Sequence, residues 1–103
     1  MNILHKYFNF CFFEDEGYHY IIVVCWGGPM GSFAYETLIC LTEVETRLYK
    51  ENELSWLKEF CKTIISESKI DFDINKEAFS IHPRHVKSKV FMEASEALKY
   101  KAK

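Results

Sequence analysis

The segment Tyr18–Trp26, reading YHYIIVVCW, restricts this chain more than any other stretch. It is rich in β-branched and aromatic residues, which favour a pleated strand. Side chains alternate between the two faces of a strand, and here both faces are apolar: Tyr20, Ile22 and Val24 on one, Ile21, Val23 and Cys25 on the other. Such a strand belongs in the middle of a sheet that is covered on both sides, by helices or by another chain. The fold must therefore supply flanking strands and two covers.

The flanking sequence supplies the strands. Ile3–Phe13 is a dense aromatic run, with Phe8, Phe10 and Phe12 on one face and Tyr7, Asn9, Cys11 and Phe13 on the other. Glu14-Asp15-Glu16-Gly17 joins it to Tyr18–Trp26 as an acidic turn, in which Gly17 can adopt a positive φ. Gly27–Ser32 is a glycine-rich hairpin loop, and Phe33–Thr42 alternates again as a third strand. Three strands joined in sequence by turns predict an antiparallel meander.

The period then lengthens. Leu54, Leu57, Phe60, Cys61, Ile64 and Ile65 recur at helical spacing, predicting a helix over Asn52–Glu67 with Asn52 as N-cap and Glu51 and Glu53 at its positive end. Ile70-Asp71-Phe72-Asp73-Ile74 alternates as a short strand would. From Pro83 a helix is expected to run to Tyr100, burying Val86, Val90, Phe91, Ala94, Ala97 and Leu98; the competing reading makes Val86–Met92 a strand and only Glu93–Tyr100 helical. The expected fold is a single α+β domain over residues 1–103: an antiparallel sheet built on a three-stranded meander, packed by one central and one C-terminal helix. Either the C-terminal helix or a second copy in a homodimer covers the far face.

With 49% hydrophobic and 27% charged residues, intrinsic disorder is excluded. MNILHKYFNF lacks a signal-peptide pattern, and no apolar run approaches the roughly 20 residues that span a bilayer. Cys11, Cys25, Cys40 and Cys61 each stand among apolar neighbours and none is in CxxC spacing, so they read as buried free thiols of a cytoplasmic protein. A net charge of −2 argues against nucleic acid as a partner.

Four features compete as functional sites. His82-Pro83-Arg84-His85 combines imidazoles with a guanidinium, which could move a proton and steady an anion in a small enzyme. No nucleophile or carboxylate is tied to the cluster by a motif, so no catalytic residue is assigned and surface residues at a helix start are the simpler reading. The glycine-rich loop precedes a strand rather than a helix and lacks the lysine of a phosphate loop. The aromatic run resembles a base-stacking platform, but it borders acids rather than cations. The basic tail of Arg84, Lys87, Lys89, Lys99, Lys101 and Lys103 could touch a nucleic acid, yet Lys-rich last turns also complement the helix dipole. No cofactor or metal is predicted.

A fifth feature, the acidic group, is stronger than these four. Glu14, Asp15, Glu16, Glu36, Glu43, Glu45, Glu51 and Glu53 face only Arg47 and Lys50 between residues 14 and 53. Most of these acids fall on turns and helix starts, near the apolar residues Trp26, Met30, Tyr49 and Trp56. An aromatic anchor inside a charged rim is the anatomy of a strong interface. The expected binding surface is Glu14, Asp15, Glu16, Trp26, Met30, Glu43, Glu45, Glu51, Glu53 and Trp56. In its length, thiols, aromatic richness and acidic turns the chain resembles bacterial immunity proteins. The resemblance implies a non-catalytic inhibitor that caps a basic, nuclease-type toxin domain in a 1:1 complex, its carboxylates steering the encounter.

Overall fold

The computed structural model describes residues 1–27, 33–67, 82–86 and 88–98, with the side chains of residues 26, 27 and 33–35 left aside. Four antiparallel strands form one sheet in the order β1 (Asn2–Lys6), β2 (Phe10–Asp15), β3 (Tyr18–Gly27) and β4 (Phe33–Cys40). Two helices follow, α1 (Glu43–Glu67) and α2 (Lys89–Ala97). The α+β class, the antiparallel sheet and the pair of helices agree with the sequence reading, and β3 is an inner strand flanked by β2 and β4.

The first strand is the main correction. The aromatic run Ile3–Phe13 is two strands, not one, so the meander has four strands rather than three. The chain reverses through Tyr7, Phe8 and Asn9, and the Tyr7 amide donates to the Phe10 carbonyl at 2.8 Å. Phe8 sits at this reversal and is 63% exposed, whereas Phe10 and Phe12 are buried. The next turn follows the sequence closely. Asp15 pairs with Tyr18 across a two-residue loop, and Glu16 (φ 48°) and Gly17 (φ 84°) take the positive φ values that tight hairpins need.

Both faces of the sheet are covered. Phe10, Phe12, Ile21, Val23, Cys25, Ile39 and Leu41 pack with Leu57, Cys61 and Ile64 of α1. On the other face Cys11, Phe13, Ile22, Val24 and Leu38 pack with Ala94 and Leu98, and with Val86, Val90, Phe91 and Ala97 around them. The apolar stripe expected for the C-terminal segment is thus the one used, and α2 covers the far face of β3.

The helix starts differ from expectation. α1 begins at Glu43, not Asn52, behind a reciprocal cap: the Glu45 amide donates to Thr42 Oγ1 (3.2 Å) and the Thr42 amide to Glu45 Oε1 (2.9 Å). Glu53 then interrupts it with φ 51°, ψ −130°, so α1 is two helical segments across a kink, and the second begins where the sequence placed the start. Asn52 sits at the end of the first segment, donating from Nδ2 to the Leu48 carbonyl at 3.1 Å. The C-terminal helix begins at Lys89 behind Ser88, not at Pro83. Residues 82–86 instead run along the outer edge of β4, where the Val86 amide donates to the Leu38 carbonyl at 2.8 Å. The expected strand Ile70–Ile74, the end of the basic tail and most of the Gly27–Ser32 loop lie outside the described residues.

Candidate functional site

At one end of the sheet the β2–β3 turn and the start of α1 face each other. They are brought together because β4 returns beside β3: Tyr20 pairs with Cys40, and the Leu41 amide donates to the His19 carbonyl at 2.9 Å. Between them lies a cleft of about 650 Å³ lined by Gly17, Tyr18, His19, Thr42, Glu43, Arg47 and Lys50, among others. Tyr18 is 60% exposed. Arg47 and Lys50 make no ion pair among the described residues. The cleft therefore has a hairpin wall that carries the exposed Tyr18 ring next to the acidic turn, and a helix wall of mixed sign.

The expected binding residues divide sharply in this structure. Glu16 and Glu43 are exposed near the cleft. Glu14 stands 3.4 Å from His19 Nε2, and Asp15 meets the Met1 amine at 3.2 Å. Glu45 is engaged by the Arg84 guanidinium instead. Glu51 and Glu53 are exposed at the kink of α1. Trp56 is half-buried, stacked on Phe60 with ring centroids 4.8 Å apart, and packs against the α1-side core. The side chain of Trp26 and the whole of Met30 lie outside the described residues. The hairpin turn and the helix start thus come together, and the two segments around Glu51 and Trp56 are placed along α1.

The His82-Arg84-His85 cluster is built into the fold. Arg84 makes a two-pronged pair with Glu45, Nη1 to Oε2 at 2.9 Å and Nη2 to Oε1 at 2.6 Å, and Nη2 also donates to the Cys40 carbonyl at 3.0 Å. Its guanidinium carbon lies 5.9 Å from the Phe60 ring centroid, so one side chain touches both segments of α1 and the edge of β4. Partial burial pushes the Glu45 carboxyl up, but the bonds from Arg84 and Thr42 outweigh it and hold the group below the usual carboxylate range. The bond to Glu45 likewise raises Arg84, against its own partial burial.

His82 is buried, and its Nδ1 accepts from the Arg84 amide at 3.1 Å. Its Nε2 stands 3.7 Å from Glu67 Oε2, too far for a hydrogen bond, and is unsatisfied among the described residues. His85 Nδ1 accepts from the Leu38 amide at 3.0 Å, and its ring meets Phe91 edge-on at 5.1 Å. None of the three lines the cleft.

All four cysteines are free thiols, and Cys11, Cys25 and Cys61 are buried. Burial, reinforced by Cys25, pushes the Cys61 thiol up to about 12, well away from a reactive thiolate. Among the described residues no group of three or more His, Cys, Asp or Glu side chains is arranged to hold a metal ion, and no helix is long and apolar enough to cross a membrane.

Sequence reasoning passed over Tyr18, His19, Arg47 and Lys50 as site residues. The signal for the last two was present: Glu43, Arg47 and Lys50 recur at one helical face, visible once Thr42-x-x-Glu45 is read as a capping box. Comparison with models of protein families, with curated proteins and with solved structures finds no match.

Proposed function

We propose that this chain is a small non-catalytic binding module that docks a basic protein partner at the hairpin end of its sheet, as a bacterial immunity protein caps a toxin domain. The observation that supports the reading is Tyr18, 60% exposed in the cleft that Glu43 also lines, directly after the Glu14-Asp15-Glu16 turn. A ring left in water has its apolar area still to bury, and its face attracts the lysine or arginine that the surrounding carboxylates would select. Glu16 and Glu43 make no ion pair among the described residues, so their charge is available to a partner. Arg47 and Lys50 on the helix wall would repel a partner's cations toward the hairpin wall, which fixes how the partner seats. The buried free thiols suit a cytoplasmic setting.

The test begins with a partner captured by the immobilised chain from its native lysate. Its association kinetics are then measured at low and high salt against the wild type, Tyr18→Ala, and the triple variant Glu14→Lys/Glu16→Lys/Glu43→Lys. Electrostatic steering predicts that association slows steeply with salt and in the triple variant, while Tyr18→Ala speeds dissociation. Binding unchanged in all three would place the interface elsewhere.

A further inference from the structure

Arg47 stands on α1 with an acid one turn before it, Glu43, and an acid one turn after it, Glu51, the spacing at which opposite charges meet on a helix. It pairs with neither among the described residues. Lys50 is its neighbour three residues on, and it too has no ion pair among the described residues. Glu53, three residues beyond Lys50, is thrown out of helical register by its φ of 51°. Elsewhere α1 does pair its charges: Lys62 meets Glu59 at 3.2 Å, and Arg84 holds Glu45. Arg47 and Lys50 line the cleft at the hairpin end instead.

Among the residues lining that cleft, these two cations stand against one carboxylate, Glu43. The cavity thus carries more positive than negative charge, although the turn beside it is acidic. Its volume, about 650 Å³, falls in the range of small-molecule sites, roughly 300–1,000 Å³. On the hairpin wall Tyr18 is 60% exposed, so its ring is open to stacking. Two exposed cations hold a bare anion weakly, because water and salt screen each contact. A ligand whose ring stacks on Tyr18 while its anionic group meets Arg47 and Lys50 gains from both walls at once.

We propose that the cleft binds a small aromatic anion: a flat ring carrying a phosphate or carboxylate, the ring on Tyr18 and the anionic group between Arg47 and Lys50. A guanidinium presents paired N–H donors that match two oxygens of either group, and a lysine adds a mobile ammonium. This site goes beyond the docking reading. Both use Tyr18, but docking needs Glu43, whereas here Glu43 repels the ligand. Either reading can therefore fail alone.

The probes are phenyl phosphate, benzoate and inorganic phosphate, titrated separately into the intact chain while backbone amide shifts are followed by NMR. The amides of Tyr18, Arg47 and Lys50 should move together and saturate, while Ile22 in β3 stays put. At least one aromatic probe should bind roughly tenfold tighter than inorganic phosphate, the scale of one stacking contact. Which of the two binds better identifies phosphate or carboxylate as the ligand's anionic group. Arg47→Gln/Lys50→Gln should weaken that probe at least tenfold, and Tyr18→Ala should erase the stacking advantage. Glu43→Gln should tighten the probe about threefold, the scale of one exposed charge contact, whereas docking expects the same change to slow a basic partner. All four side chains are exposed, so each variant should keep the wild-type urea midpoint; should one lose it, the wild-type comparison of probes decides. No saturable shift at the three amides, an affinity unmoved by Arg47→Gln/Lys50→Gln, or inorganic phosphate binding as tightly as both aromatic probes would each overturn the site.

Discussion

Thr37 tests the packing of the sheet more directly than any other residue. It is fully buried in β4, opposite Val23, and its Oγ1 finds no hydrogen-bond partner among the described residues. Alternation along β4 puts it on the same face as Ile39, against the core shared with α1. Burying an unpaired hydroxyl costs about 1–3 kcal/mol by mutational measure. Thr37→Val removes that cost, keeps the branched shape that suits a strand, and adds roughly 0.8 kcal/mol for a buried methyl. Some of the gain is lost to imperfect fit, so the net stabilisation should be about 1–2 kcal/mol. For a chain of this size each kcal/mol raises Tm by about 4–8 °C. Urea unfolding should show a higher midpoint with an unchanged slope, since the area exposed on unfolding barely alters. Thr37→Ala is the control: it removes the hydroxyl but also opens a void, and should fall about 2 kcal/mol below the valine variant. Should Thr37→Val lower the midpoint as much as Thr37→Ala does, the hydroxyl must be bonded in solution and the packing argument fails.

Two further perturbations probe the helix and its clamp. Glu45 is held below the ordinary carboxylate range when folded, so its share of stability is complete above its unfolded value of about 4.3 and is lost as pH falls through the lower folded value. Glu45→Gln should flatten that acid limb of a stability–pH curve, and an unchanged limb would mean that Arg84 does not clamp it. Glu53 carries a side chain at φ 51°, ψ −130°, backbone space that glycine enters freely. Glu53→Gly should therefore raise the urea midpoint by about 1 kcal/mol of stability, and a loss of the same size would show that the kink is absent in solution.

What the sequence disclosed and what it hid divide along the range of the forces involved. Where one strand's own pattern sets the outcome, as in the doubly apolar β3 or the Gly17 turn, expectation and structure agree. The reversal at Tyr7-Phe8-Asn9 carries no glycine or proline, so an unbroken aromatic run concealed two strands that need each other's edges. Asn52 was a genuine sign of a helix start, but of the second segment of α1. The first was concealed because Thr42 continues the alternation of β4 while also capping. Arg84 and Glu45 lie 39 residues apart, and no local pattern announces such a pair. That pairing also changes what the acidic bias means. A count along the chain treats every carboxylate as surface charge, yet the fold answers Glu45 with a guanidinium and Asp15 with the terminal amine. Glu16 and Glu43 stay exposed near Tyr18 without an ion pair among the described residues, and Glu51 and Glu53 stand apart from them at the kink. A composition bias thus overstates the acid at the surface, because long-range pairs such as Arg84–Glu45 take part of it out of play.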